Sequence, residues 1–479
     1  MKIAIEGCCH GALDAIYKHI EFLEKKNNYV VDLLLICGDF QAIRNHSDLQ
    51  CMAVPPKYRQ LGEFYRYYTG EKKAPVLTIV IGGNHEASNY LWELYHGGWL
   101  APNIYFLGHA GCVQVDGVRI AGASGIFKGN DFHQGHYEQM PYDHSSMRSI
   151  YHIREYNIRR LSLLSSPDIF LSHDWPQSIE QHGDLPLLLR RKPFFRQDIS
   201  TGSLGSPPLM GLLHTLRPSW WFAAHLHVRF EAVVTHHQAT SAANGSISPS
   251  PAQGENPDEI VIDEFEEDGL DTKKPDGVES STMAESSIST TGPLNPDEIT
   301  LEDEEEGVVA PPPPVPQPSE TRFLALDKCL PRREFLEVMD FPASSDSLPP
   351  ATDGQRRRPT LTFDPEWLAI IRAFHPYFSM SRRQAVYPEE AAARAQVAEE
   401  LSWVKAHISS TEEGETSDLR EVESCQVFVQ TAPGPGSEGP AKNQQPPWYT
   451  NPQTTAFCDM LELENKINPP PRAAPSSVV

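Results

Sequence analysis

Six short polar clusters, each following an apolar run, carry side chains that bind borderline-soft divalent metals: Cys8-Cys9-His10-Gly11, Gly38-Asp39, Gly83-Asn84-His85-Glu86, Ser172-His173-Asp174, His225 and His227. Cys8 and His10 are one residue apart, as are His225 and His227. On an extended backbone such pairs project to the same side, where both can hold one ion. Asp39, directly after a Gly and an apolar run, is placed to bridge two ions, while Asn84 offers an amide oxygen and His173 an imidazole. A hydroxide-bridged pair of divalent ions needs about six to eight protein ligands, one of them a carboxylate spanning both. Each cluster alone is weak, since an Asp after Gly is ordinarily a turn or cap and a lone His is ordinarily a hydrogen-bonded surface residue. Their joint order and placement outline a two-metal site.

Such a site needs strands that end together. Apolar runs at Lys2 to Ile5, Leu33 to Ile36, Val76 to Ile81, Val118 to Ala121, Asp168 to Leu171 and Ser219 to Ala223 predict strands of a layered α/β domain. Between the first two, Ile16, His19, Phe22 and Leu23 keep helical spacing, with Asp14 in the first turn where a carboxylate suits the helix dipole. The stretch from Phe127 to Arg154 is polar, aromatic and histidine-rich with little periodicity, long for a loop without a function.

Charge divides the chain. Through Thr235 there are 22 basic and 22 acidic residues, so the entire net charge of −24 belongs to the remainder. An acidic protein ordinarily argues against nucleic-acid partners, but a neutral first half removes that objection. The 8 cysteines have no regular spacing and predict no disulfide framework, which points to a reducing compartment. The opening run ends too soon for a signal peptide, and no apolar run approaches the roughly 18 residues of a membrane helix. Residues 238–320 turn to Ser, Thr, Pro, Asp and Glu and predict a disordered acidic linker. Order is expected again over 321–408, with apolar density at Thr321 to Phe341 and Leu361 to Phe374 and a helix from Pro388 to Ala406. A polar, proline-rich tail over 409–479 is predicted disordered.

In the order of its clusters the sequence resembles the calcineurin-like metallophosphoesterase superfamily, with Cys8 standing where most members carry Asp and Ala224 where Gly is usual. The opening Gly7-Cys8-Cys9-His10-Gly11 narrows this to a resemblance to the RNA lariat debranching enzymes. Cys37-Gly-Asp-Phe-Gln-Ala42, Gly82-Gly-Asn-His-Glu-Ala-Ser-Asn89, Ser124-Gly-Ile-Phe127, Ser172-His-Asp-Trp-Pro176 and Ala224-His-Leu-His-Val228 share it. The run Phe323-Leu-Ala-Leu-Asp-Lys-Cys-Leu-Pro331 and the run Asp364-Pro-Glu-Trp-Leu368 are similar to that family's C-terminal domain. The resemblance implies a layered β-sandwich flanked by helices over residues 1–237, a small C-terminal domain and long disordered segments. It assigns Cys8, His10, Asp39 and His227 to one metal and Asp39, Asn84, His173 and His225 to the other. Two divalent ions are implied, Fe2+, Zn2+ or Mn2+, with the Cys8 thiolate favouring Zn or Fe over Mg. His85 is then the catalytic residue, donating to the phosphate or protonating the leaving oxygen, and Asp174 a candidate to orient an imidazole.

The activity so implied is hydrolysis of the 2′–5′ phosphodiester at the branch point of excised intron lariats. The corresponding family region makes residues 127–154 a lariat recognition loop, with Lys128, Tyr137, Tyr142, Arg148, Tyr151 and Arg154 as candidate RNA contacts. Aromatic faces stack unpaired bases and cations hold phosphates. Arg190, Arg191, Lys192 and Arg196 form a charge run that either touches RNA backbone or is a solvated face. Lys57, Arg59 and Arg66 with Tyr58, Tyr65, Tyr67 and Tyr68 fit a helix packed on the sheet. The competing classes are a phosphoprotein phosphatase or cyclic nucleotide phosphodiesterase and, outside catalysis, a scaffold that has lost ligands. A lariat substrate implies a nuclear location, with shuttling to the cytoplasm left open. The acidic segments are candidate docking regions for splicing or transport proteins.

Overall fold

The computed structural model describes residues 1–236, 318–342, 358–408 and 420–470. Six expected strands form where the apolar runs placed them: β1 (Lys2–Glu6), β2 (Leu33–Ile36), β3 (Leu77–Val80), β7 (Val118–Ala123), β8 (Ile169–Ser172) and β9 (Trp220–Ala223). Around them lie β4 (Gly98–Ala101), β5 (Ile104–Phe106), β6 (Ala110–Val115), β10 (Phe230–Thr235), β11 (Glu320–Ala325), β12 (Leu336–Asp340) and β13 (Leu361–Phe363). They make two sheets, ordered β12-β1-β2-β3-β5-β4 and β10-β11-β9-β8-β7-β6-β13.

The central pairings β1–β2, β2–β3 and β3–β5 of one sheet are parallel, as are β7–β8, β8–β9 and β9–β11 of the other. Parallel strands covered on both faces read as continuous apolar runs, and β2, β3 and β8 are buried at every position. Alternate residues serve different layers. Ile3, Ile5, Leu33, Leu35, Leu77 and Ile79 face a core shared with Ile120, Phe170, Trp221 and Phe323 of the second sheet. Ala4, Leu34, Ile36 and Val80 face outward under the helix Leu13–Asn27, which buries Leu13, Ile16, Tyr17 and Ile20. The expected helical stripe is therefore displaced, for Phe22 is 56% exposed. Asp14 does lie in the first turn, and Tyr67 donates to it at 2.7 Å.

Two expectations for the second half change. Most of the predicted acidic linker lies outside the described residues, but the polar tail over 409–479 does not behave as predicted where it is described. Residues 420–470 pack onto the edge of the first sheet at β4 and β5. Gln453 accepts from the Trp99 N–H at 2.7 Å and donates to its carbonyl at 2.9 Å, closing the free edge of β4. Gln426 donates to the Gly97 carbonyl at 2.9 Å and accepts from the Tyr105 hydroxyl at 3.1 Å. Asn451 caps the helix Pro452–Met460, which buries Phe457 and Cys458. A low apolar content misleads here because the segment binds through side-chain amides that satisfy exposed backbone groups.

The segment resembling a C-terminal domain is woven into both sheets. β11 inserts between β9 and β10, β12 pairs antiparallel with β1, and β13 pairs antiparallel with β6. Asp364 accepts from the Trp367 N–H and caps the helix Pro365–Phe374, while the expected later helix runs Glu390–His407.

Candidate metal centre and active site

The carboxyl ends of β1, β2, β3, β8 and β9 meet at one rim, so the residues that follow them converge, as expected at the open end of parallel strands. Cys8 Sγ and one ligating atom each of His10, Asp39 and His227 lie within 4.8 Å of one another. His10 Nε2 faces His227 Nε2 at 3.2 Å and Asp39 Oδ2 at 3.5 Å. On the other side of the same carboxylate, Asp39 Oδ1 is 3.4 Å from His173 Nε2, which is 3.2 Å from Asn84 Oδ1. The His173 and His225 rings are 4.9 Å apart between centroids, and the His225 N–H donates to Cys8 Sγ at 3.2 Å. All seven expected ligands are thus gathered around the two oxygens of Asp39.

Backbone geometry is bent to achieve this. His10, Asp39, His225 and His227 have φ of 46°, 45°, 63° and 48°, a left-handed conformation that costs a non-glycine residue about 1–3 kcal/mol. Each must reverse the chain just past a strand end to aim its side chain over the rim. Two glycines leave the room. A Cβ on Gly38, whose φ is +107°, would lie 2.3 Å from His173 Nδ1, and one on Gly83 would lie 2.2 Å from Asp39 Oδ1.

The histidine tautomers suit ligation. His173 Nδ1–H donates to the Cys37 carbonyl at 2.8 Å, leaving Nε2 to face Asp39 and Asn84. Burial lowers the pKa of His10 well below its usual value and that of His227 to about 3, so both imidazoles are neutral with lone pairs to give. Burial would raise the Asp39 carboxyl, but His173, His85 and His10 hold it well below the ordinary range. Burial, with Asp39 and Glu6 beside it, pushes the Cys8 thiol well up. Neutral nitrogens facing one another at hydrogen-bond distance around an ionised carboxylate are a donor set that fits a cation.

His85 is at the mouth of the cluster. Its backbone N–H donates to Asp39 Oδ1 at 2.9 Å, its Nδ1 lies 3.5 Å from Asp39 Oδ2, and its side chain is 36% exposed. Glu86, to which the sequence reading gave no role, proves to brace the rim. Its carboxylate accepts from the N–H groups of Phe40, Gln41 and Gly83 at 2.7, 2.8 and 3.0 Å, tying the Asp39 and Asn84 loops together. Its only sequence signal was a carboxylate two residues beyond Asn84, just ahead of a helix.

Two other expectations are corrected. Asp174 does not orient an imidazole. It accepts from the N–H groups of Phe127 and Trp175, and the carbonyl of Cys37 does the orienting instead. The stretch 127–154 contains two short helices, Gly129–Phe132 and His144–Ser149, and three of its candidate RNA contacts face inward. Tyr142 and Tyr151 are buried, and Arg154 is fully buried, donating to Glu138 and to the carbonyls of Asp131 and Ser149. Tyr137 is half-buried, its ring 4.3 Å from the Arg382 guanidinium, and Lys128 is also half-buried. Arg148 is exposed. The Lys57 to Tyr68 stretch packs as expected, with Tyr67 and Tyr68 buried.

Paired parallel-cored sheets with metal-binding side chains at their shared rim define a metallophosphoesterase, and residues 1–229 match the family described as calcineurin-like phosphoesterase. Residues 318–466 match the lariat debranching enzyme, C-terminal domain. Over their whole lengths, 100% of both chains, the protein is 40% identical to the lariat debranching enzyme of Schizosaccharomyces pombe. It is 44% identical to that of Drosophila pseudoobscura pseudoobscura, covering 98% of this chain and 78% of the relative, and 41% identical to that of Homo sapiens, covering 97% and 69%. The chain belongs to the lariat debranching enzyme family.

Proposed function

We propose that this protein hydrolyses the 2′–5′ phosphodiester at the branch point of excised intron lariats, with two divalent cations held by Cys8, His10, Asp39 and His227 and by Asp39, Asn84, His173 and His225. The observation that carries the reading is the Asp39 carboxylate, which turns Oδ1 to His173 and Oδ2 to His10, as a group shared between two sites would. Divalent cations bound there would make a hydroxide available near neutral pH and neutralise charge building on the phosphate. A thiolate among the ligands favours Zn2+ or Fe2+ over Mg2+, with Mn2+ as the third candidate.

The residues then divide the work. Asp39, buried and ionised, sets the axis of the site. His85 directs Nδ1 toward Asp39 Oδ2, which makes Nε2 the ring atom available to the departing ribose oxygen. Glu86 fixes the loop carrying both Asn84 and His85 against the loop carrying Asp39. A lariat substrate places the work in the nucleus, and the acidic second half suits splicing or transport proteins as partners.

The test pairs a branched RNA with a linear 3′–5′ strand of the same sequence. Cleavage confined to the branch is expected, and cleavage of both strands at similar rates overturns the reading. Metal analysis of protein purified without oxygen identifies the ions, two per chain being the expected content.

A further inference from the structure

The second half of the chain brings one cation to the rim, and the charge run after β8 brings another. Lys328 forms a parallel bridge with Cys8, and the Cys8 carbonyl accepts from the neighbouring Cys329 N–H at 3.1 Å. Lys192 follows the helix Leu185–Arg191, whose Arg191 donates to the Arg229 carbonyl at 3.3 Å and pairs with Glu334 at 3.0 Å. Arg229 lies two residues beyond His227, so these contacts tie the chain at Arg191, the residue before Lys192, to the segment that carries His227. The two segments also meet, for the Glu334 that pairs with Arg191 accepts through its carbonyl at 3.1 Å from the N–H of Asp327, the residue before Lys328. Beside Lys192, with its ring 5.6 Å from the ammonium, Phe194 is 47% exposed.

We propose that Lys192, Phe194 and Lys328 form the subsite for the RNA nucleotide flanking the scissile bond on the Cys8 and His227 side, the two lysines taking its phosphate and Phe194 stacking its base. The proposal rests on the debranching reading and extends it. A phosphate beside the cleaved one must lie within a nucleotide's length of it, and these are cations that the fold fixes next to ligand-bearing backbone. An exposed aromatic beside a lysine is the pairing that holds an unpaired nucleotide. Arg190 and Arg196 belong to the same charge run but are exposed, and the subsite does not need them. It also gives the C-terminal residues a place in substrate binding, since Lys328 reaches the rim only because β11 is inserted beside β9.

The experiment measures kcat and KM on branched RNA across a salt series for the intact protein, Lys192→Ala, Lys328→Ala, Phe194→Ala, the double lysine variant and Lys328→Arg. The lysine variants are expected to raise KM on the order of tenfold, with the loss confined to KM. The slope of log(kcat/KM) against log salt should flatten by about 0.7 per lysine removed. Phe194→Ala should raise KM without changing the slope, and Lys328→Arg should restore most of the affinity. Trimming the substrate arm that occupies the subsite should erase the difference between variants and intact protein. Unchanged KM and slope in the double variant, with normal metal content, overturns the subsite while leaving debranching intact. Loss of metal or of fold in Lys328→Ala, not rescued by Lys328→Arg, assigns Lys328 a structural role and overturns it too. Equal cleavage of branched and linear RNA by the intact protein removes both readings.

Discussion

Cys8 enters the cluster as a protonated thiol, because burial first and then the charges of Asp39 and Glu6 push its pKa well up. The His10 and His227 ligands are already neutral, since burial holds their pKa values down. Loading the site near neutral pH must therefore displace the Cys8 proton, and rising pH should tighten metal binding. In Cys8→Asp the same burial and the same charges act on a group that starts several units lower, so that variant should release fewer protons per metal bound near neutral pH. Calorimetric titration with Zn2+ in buffers of different ionisation enthalpy measures this, and an equal proton count in both proteins would remove Cys8 from the set. His85 makes the complementary case. His85→Ala should lower kcat by about 10²- to 10⁴-fold with metal content near normal, and retained turnover would take His85 out of the chemistry.

Between residue and sheet, the loops at the strand ends decide whether the ligands meet. Gly83→Ala puts a methyl group 2.2 Å from Asp39 Oδ1 and must displace one loop or the other. Metal content and activity should fall together, measured by elemental analysis beside the branched-RNA assay. Glu86→Ala leaves three N–H groups without their acceptor. Bracing of this kind is worth about 10- to 100-fold in metal affinity or activity, while the fold, followed by circular dichroism, should survive. These loops were legible in the sequence because each ligand directly follows an apolar run, and a parallel strand ends where its run ends. The 127–154 stretch was not. Tyr142, Tyr151 and Arg154 have the residue types of an RNA surface, but the sequence does not show that Glu138 and backbone carbonyls inside the protein take the arginine.

For the whole molecule, the first half of the chain and the C-terminal segment are joined by a buried ionic network. Arg44 is fully buried, paired with Asp48 and Glu93 at 2.8 Å and donating at 2.8 Å to Thr431, with its guanidinium 4.0 Å from the Tyr90 ring. Thr431 in turn donates to Glu93 at 2.7 Å. Arg44→Ala would strand two buried carboxylates and should cost roughly 3–5 kcal/mol in urea unfolding, whereas a surface change such as Lys26→Ala should stay within about 0.5 kcal/mol. Neither this network nor the packing of 420–470 was legible. Thr431, Gln426 and Gln453 look like solvated tail residues until the backbone edges they satisfy are known.

The chain leaves the second sheet at Thr235 and returns to pair with it at Glu320, the two residues lying opposite each other across β10 and β11. Because the exit and the entry are partners in one ladder, the sheet fixes the two ends of the connection side by side, and its length should enter stability only through a slowly growing closure entropy. A protein made as two separate polypeptides, broken within that connection, should therefore reassemble by strand complementation. Neither piece alone would be active, since the first supplies every metal ligand but leaves the gap between β9 and β10 unfilled.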